Sequence, residues 1–505
     1  MTCMKTQGFS REERGPLAVI DIGSNSVRLV IYEKLVCSPG VLFNEKILCG
    51  LGKGLAKTGR LKSDSVDMAL GTLKRFRALC EQLDVRRIHT LATAAAREAE
   101  NGSDFIAAAK AILGVPVQLL TGQEEAAYSA CGVLASFYDP DGVVGDFGGG
   151  SLELANIVRP HVSEGITLPL GGLRLRDMSD RNLLEATAIA RRHLHQTKLL
   201  KTGHGRNFYA VGGTWRNLAK LHMNVKDYLL PVMHAYEMDS HEAENFLHCV
   251  LNSEINRMRG ISAVSKSRRQ LLPYGAAVLL ELMHVMKPEK IVFSGYGMRE
   301  GYLYSLLSES MRRQDSLLSA AGEMAALHSR SSQHAYELID WIRQAFDVLN
   351  VKETEDEKRY REAVCLLADT GWRISPEYRG IQAASQIAYG AYTGIDHPGR
   401  VYAALAVFFH NEGLVSDLKA PDIIRLATPH IVGRARLLGA VMRISNLLCA
   451  GNAGVLPRIL WQRTQDGVVL DVPARYGNLI AERPQGRLRQ LSELVNIPME
   501  YRIQS

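Results

Sequence analysis

Two periods of apolar residues alternate along the first three-fifths of the chain. Residues 17–32, LAVIDIGSNSVRLVIY, set an apolar run, an aspartate, a Gly-Ser-Asn-Ser turn and a second apolar run in line, which predicts a β-hairpin. Residues 64–83 carry apolar positions at helical spacing. RRIHTLATAAAREA predicts a strand, a loop and a helix, and PVQLLTGQEEAAYSACGVLASF a strand, a turn and a long helix. GVVGDFGGGSLELANI (142–157) is again strand, glycine turn, strand. NFYAVGGTWRNLAKL and KIVFSGYGMREGYLYSLL each predict a strand, a Gly-rich turn and a helix, with 180–201 and 275–286 helical between them. Strands alternating with helices predict an α/β architecture.

Beyond about 310 the pattern changes. ESMRRQDSLLSAAGEMAALHSR opens a stretch of helical periodicity with few strand signals that runs to about 450. GVVLDV and GNLIAE in the tail are β-like. The expected division is a flexible segment 1–15, an α/β lobe 16–135, a second lobe 136–312 whose last helix can return to the first, and a mostly helical domain 313–505. At 505 residues the chain exceeds what one core holds, so more than one domain is required.

The chain also repeats itself. VIDIGSNSVRLVI and VVGDFGGGSLELA share one form, apolar strand, Asp, apolar residue, Gly, two small residues, Ser, apolar strand. Asp21 matches Asp146 and Ser26 matches Ser151, each 125 residues apart. One such hairpin is ordinary, because Gly, Asn and Ser are common in turns. Two predict a duplicated α/β domain with its turns facing across a cleft.

Composition adds little: 46% hydrophobic and 22% charged residues are ordinary for a globular protein. A net charge of +7 suits an anionic ligand and requires no nucleic acid. The eight cysteines contain no C-x-x-C, so buried thiols in a reducing compartment are expected. Neither a signal-peptide core nor an 18-residue apolar span is visible, so a cytoplasmic protein without a membrane partner is expected.

The turns carry candidate chemistry. Gly23, Ser24, Asn25 and Ser26 in one, and Gly148, Gly149, Gly150 and Ser151 in the other, offer backbone N–H groups and hydroxyls to phosphate oxygens. An aspartate beside such a nest repels phosphate unless a cation intervenes. Asp146 is therefore a candidate Mg²⁺ ligand, with Glu153 as helper or as an exposed strand residue. Arg97, at a strand-to-helix junction, is either a bidentate phosphate grip or an exposed helix arginine. Glu124 and Glu125 open a helix, where acids also serve the helix dipole, but a carboxylate there can activate water. GKGLAKT (52–58) looks like a P-loop but has Ala56 where glycine is required.

DIGSNSVRL, ATAAAREA, GQEEA, DFGGGSLEL, VGGTWRNL, SGYGMREG and GLGKGLAKTGRL together resemble the exopolyphosphatases and guanosine pentaphosphate phosphatases, over about residues 16–310. The resemblance implies two duplicated α/β lobes of the actin, Hsp70 and sugar-kinase kind (ribonuclease H-like), with a helical C-terminal domain like a degenerate HD domain. It implies Mg²⁺-dependent release of terminal orthophosphate from inorganic polyphosphate, with guanosine pentaphosphate as the alternative substrate. An actin-like kinase and a non-catalytic sensor are more distant alternatives. In the resemblance Glu125 is the catalytic base, Arg97 the phosphate-gripping arginine and Asp146 the metal ligand; the two turns are the phosphate loops and the protein is a homodimer. Three positions depart from the family pattern: Leu152 for threonine, Tyr296 in the last motif, and Ala368 where an HD histidine would stand beside Asp369. The last predicts a catalytically silent C-terminal domain. From Lys419 onward 12 Lys or Arg face 6 Asp or Glu, with Arg434, Arg436, Arg443, Arg458, Arg483, Arg487 and Arg489 clustered in sequence. That is a solvated face or an electropositive track for a polyanion.

Overall fold

In the computed structural model, which describes residues 15–504, the hairpin 17–32 begins a five-stranded sheet. Its strands are β1 (Leu17–Ile22), β2 (Val27–Tyr32), β3 (Val41–Ile47), β4 (Arg87–Ala92) and β5 (Val117–Leu119), in the order β3-β2-β1-β4-β5. The first three are antiparallel neighbours, and β4 and β5 run parallel to β1. A second sheet holds β6 (Asp141–Phe147), β7 (Leu152–Val158), β8 (His161–Val162), β9 (Ile166–Leu168), β10 (Asn207–Val211), β11 (Tyr236–Asp239) and β12 (Lys290–Phe293). Its order is β11-β12-β10-β6-β7-β8, with β9 also on β7. Without the added edge strand β11, this repeats the first sheet strand for strand: β6, β7, β10 and β12 stand where β1, β2, β4 and β5 stand. The duplication is therefore one of topology as well as of motif.

Strand parity decides which residues meet what. On β1, Ala18, Ile20 and Ile22 pack outward against helices Ser63–Gln82 and Gly102–Leu113. Leu17 and Val19 point the other way, onto Met298, Tyr302 and Leu303 of helix Met298–Leu306. On the second sheet Val144, Ala155, Tyr209 and Val292 meet Ala126, Ala130 and Val133 of helix Gly122–Ser136. The opposite face packs on helices Leu183–His195, Gly213–Val225, Ser240–Asn252 and Leu272–Met286. Two helices thus lie between the sheets. They approach closely because their contact positions lack side chains. A Cβ on Gly132 would sit 2.3 Å from the Gly297 carbonyl oxygen, and one on Gly301 would sit 1.7 Å from that of Tyr128.

The chain parts into two compact units after Arg313. The second holds helices Ser316–His328, Ser332–Val348, Glu355–Leu367, Arg379–Ala388, His397–Glu412, Pro429–Cys449 and Glu482–Val495. A small sheet of β13 (Leu460–Arg463), β14 (Val468–Pro473) and β15 (Met499–Gln504) completes it. Here the sequence reading needs correction. GVVLDV is β14, but GNLIAE is not a strand: Pro473 ends the ladder and Ala474–Leu479 coils as a short 3₁₀ helix. β13 and β15 are largely exposed edge strands; β13 is too short to show a period, whereas in β15 Met499, Tyr501 and Ile503 alternate with Glu500, Arg502 and Gln504. None of the seven described cysteines forms a disulfide. Among the described residues no helix is long and apolar enough to cross a membrane.

Candidate active site

The same parity that builds the core aims two aspartates at the inter-sheet layer. Asp21 lies on the Leu17–Val19 face of β1 and meets Arg299 of helix Met298–Leu306, whose Nη1 donates to its Oδ2 (2.9 Å). Asp146 lies on the Val144 face of β6 and meets helix Gly122–Ser136, where Ser129 Oγ donates to its Oδ2 (2.6 Å). Both aspartates stand at the ends of strands, where each chain turns.

The turns are built alike. Gly23 N–H donates to the Ser26 carbonyl and Gly148 N–H to the Ser151 carbonyl, both at 3.0 Å. Neither turn uses left-handed backbone at its glycines. Space is tight at the second: a Cβ on Gly149 or Gly150 would come 3.3 or 3.1 Å from the Ser24 side chain. The two turns therefore face each other at close range across a cavity of about 550 Å³.

That cavity is lined by Gly23, Ser24, Asn25, Ser26, Glu125, Asp146, Gly148, Gly149, Gly150, Ser151 and Glu153, all the candidates from sequence except Glu124 and Arg97. The structure separates the two glutamates of QEEA. Glu124 completes a capping box with Thr121, its Oε2 accepting from Thr121 N–H (2.7 Å) while Thr121 Oγ1 accepts from Glu124 N–H (3.2 Å). Glu125 turns inward and is 7% exposed. Burial raises its carboxyl to about 7, against the opposing pull of Arg97.

Arg97 is the other candidate outside the cavity. Its Nη1 donates to Glu125 Oε1 (2.6 Å) and to the Leu120 carbonyl, so it holds the carboxylate from behind. Glu153 faces Asp146 directly across β6 and β7 and accepts from Thr167 Oγ1 (3.0 Å). Burial, and then Glu125, push its carboxyl well above the carboxylate range; burial also raises Asp146 against the Ser129 hydrogen bond. Glu125 and Glu153 are buried and Asp146 is half-buried, and both Glu125 and Asp146 disfavour charge on Glu153. Carboxylates so placed suit a hard cation, and Mg²⁺ asks for one or two carboxylates completed by phosphate oxygens. Leu152 is core, since parity turns position 152 away from the cavity, and a hydroxyl there would not reach it.

Sequence reasoning missed the cations. Arg28, Lys46, Arg216, Lys220, Arg268 and Arg299 also line the cavity. Arg28 was within reach, because it stands 125 residues before Glu153 and faces Asp21 as Glu153 faces Asp146. Lys46 and Arg268 carry no local signal. Burial and then Arg268 lower the Lys46 ammonium to about 7, and burial and then Arg299 lower Arg28 to about 10. Anions placed here would relieve both.

In the second unit Asp369 is held by Arg330, whose Nε and Nη2 donate to it at 2.6–3.0 Å. Among the described residues no cluster of three His, Cys, Asp or Glu side chains is placed to hold a metal. The basic tail sorts in two. Arg443, Arg483, Arg487 and Arg489 line a cavity of about 810 Å³ with Arg379, whereas Arg434 and Arg436 are tied to the Lys352 and Val415 carbonyls.

Two topologically identical α/β sheets with facing glycine turns define an actin-like fold with a phosphate-handling cleft. Family models match the chain in two places: the Ppx/GppA phosphatase family over residues 29–310 and the exopolyphosphatase C-terminal domain over residues 317–501. The chain belongs to the Ppx/GppA phosphatase family. It is an enzyme, a phosphatase, with the two-part make-up of a long-form exopolyphosphatase. Among solved structures, the Aquifex aeolicus member of that family is 26% identical, covering 58% of this chain and 97% of that one, with a TM-score of 0.49. An exopolyphosphatase from Cytophaga hutchinsonii is 23% identical, with 58% and 97% covered and a TM-score of 0.53, a likeness of fold.

Proposed function

We propose that the cleft hydrolyses the terminal phosphoanhydride of inorganic polyphosphate, with Glu125 as general base. The observation that carries this is a buried carboxylate near neutral pKa, fixed by Arg97 and lining the same cavity as both turns. The N–H groups and hydroxyls of residues 23–26 and 148–151 hold the terminal phosphate. Glu125 takes a proton from the attacking water, a new P–O bond forms, and the bridging P–O bond breaks to leave a chain one phosphate shorter. Arg28, Lys46, Arg216 and Arg268 hold the following phosphates. Asp146 and Glu153 are the residues that would hold Mg²⁺, which supplies charge neutralisation on the phosphate oxygens. Arg97 acts through Glu125, setting its orientation.

The cavity favours an inorganic chain over guanosine pentaphosphate. Among its described lining residues the aromatic one, Phe147, is 1% exposed and stacks on Trp215, so no aromatic face is offered to a base. A cytoplasmic homodimer accompanies this reading, and light scattering of the purified chain tests the dimer. The deciding experiment is phosphate release from defined polyphosphates and guanosine pentaphosphate, with and without Mg²⁺, by wild type and Glu125→Gln. The variant is expected to bind polyphosphate and release no phosphate; near-normal turnover removes Glu125 from its role.

A further inference from the structure

We infer that Asp177 is a positioning residue that fixes the spacing of the two phosphate turns, through a latch to the glycine-rich loop 50–59. The inference rests on the turns being the phosphate site. Each turn is buttressed from behind by a segment of its own lobe. Gly50 N–H donates to the Asn25 carbonyl (3.1 Å) and Gly52 N–H to the Ser24 carbonyl (2.7 Å). A Cβ on Gly52 would lie 2.9 Å from Ser24 Cβ, so only glycine lets the loop approach. On the other lobe, helix Gly172–Met178 starts on the second turn. Gly172 N–H donates to the Gly148 carbonyl (3.1 Å), and Leu173 and Arg174 N–H donate to that of Gly149 (2.9 and 3.2 Å).

The two buttresses meet each other. Asp177 Oδ2 accepts from Gly54 N–H (3.0 Å) and Lys57 pairs with Asp180; beside them Arg174 pairs with Glu98 of helix Ala94–Glu98, outside the loop but on the same lobe as it. The motif that looks like a P-loop thereby gains a different explanation. Gly50, Gly54 and Gly59 adopt φ of +64°, +79° and +68°, the left-handed backbone that shapes a tight loop, and that shape delivers Gly54 N–H to Asp177.

The two ties to the loop differ in weight. Lys57 and Asp180 are 59% and 81% exposed, so their pair is weak and screened by salt. The Asp177 side chain is 16% exposed and binds backbone, which cannot swing away as a lysine can. A substrate that spans both turns needs their separation held to a fraction of an ångström, and small misplacements cost rate or affinity steeply. Asp177 touches neither substrate nor reacting atoms; it acts through the turns.

The test is steady-state hydrolysis of inorganic tripolyphosphate by full-length Asp177→Ala, Asp177→Asn and Arg174→Gln, with thermal melts alongside. Asp177→Ala is expected to raise KM about tenfold while kcat stays within about threefold, the signature of lost binding rather than lost chemistry. Asp177→Asn keeps an acceptor for Gly54 N–H and is expected to restore KM to within about twofold of wild type. Arg174→Gln probes the same spacing without altering Asp177, and keeps the inference testable should Asp177→Ala fail to fold; its KM is expected to rise as well. Wild-type KM in Asp177→Ala or in Arg174→Gln, or an equal KM rise in the Ala and Asn variants, overturns the latch. If that happens while Glu125→Gln is inactive, the catalytic reading stands and the latch alone is wrong. A wild-type chain that releases no phosphate from tripolyphosphate overturns both.

Discussion

Residues 21–28 and 146–153 fold as the same turn, closed by the same 3.0 Å backbone hydrogen bond between the first glycine and the last serine. Across the strand pair, however, Asp21 faces Arg28, and Asp146 faces Glu153. The first turn brings its own positive charge, and Arg299 adds a second against Asp21. The second presents two carboxylates, with Glu125 as a third nearby. Duplication has kept the backbone frame and reversed the charge at one position. The consequence is a cleft with an acidic end and a basic end; in the proposed reaction the first takes the cation and the attacking water, and the second takes phosphates.

If the turns divide the work in this way, matched substitutions must act unequally. Asp146→Asn is expected to lower kcat by about 10³-fold, whereas Asp21→Asn, whose partner Arg299 is part of the protein, is expected to lose less than about tenfold and to show mainly as a lower melting temperature. Equal losses of kcat in the two would break the comparison. Glu153→Gln is expected to raise the Mg²⁺ concentration for half-maximal activity by about 10–100-fold, read from Mg²⁺ titration of phosphate release. Its repeat-mate change, Arg28→Met, is expected to raise KM for tripolyphosphate about tenfold with little change in kcat or Mg²⁺ requirement. A Mg²⁺ effect in Arg28→Met would place the cation on the wrong turn.

The smallest effect is in pH. Glu125 must be deprotonated to act, so kcat/KM rises with pH up to about 7. Lys46 must be protonated to hold phosphate, so kcat/KM falls again above about 7. The profile for the free enzyme is therefore a bell centred near neutrality. Bound polyanion raises the Lys46 pKa, so the alkaline limb is expected in kcat/KM and not in kcat, and Lys46→Met is expected to remove it. An alkaline limb unchanged in Lys46→Met assigns it to another group.

How much of this could be read without coordinates differs by residue. The hairpins, the loop residues, Asp146 and Glu125 were legible because strand period, glycine turns and the 125-residue repeat are local or self-referring signals. Glu153 was half legible: its strand was plain, but whether it faced water or cleft depended on what covers that face. Arg97 was legible only as a choice, since a guanidinium at a strand-to-helix junction can turn to phosphate or to a neighbouring carboxylate, and Glu125, which it bonds, lies 28 residues on. Of the edge strands, β13 is too short to show a period, while β15 carries one in Met499, Tyr501 and Ile503. Lys46 and Arg268 were invisible because nothing in their surroundings marks them; they become site residues only when a strand edge of one lobe and a short helix of the other are brought to the same cavity.

From sequence came the duplicated α/β plan and the candidate turns and acids, because periodicity and turn chemistry act over a few residues and were written twice. Folding settled the rest: which of two adjacent glutamates turns inward, which arginine bonds it, which cations line the cleft, and how loop 50–59 braces the first turn. Those outcomes depend on distances between segments far apart in the chain, and on the loss of water around charges once they are buried, neither of which is a property of any local stretch of residues.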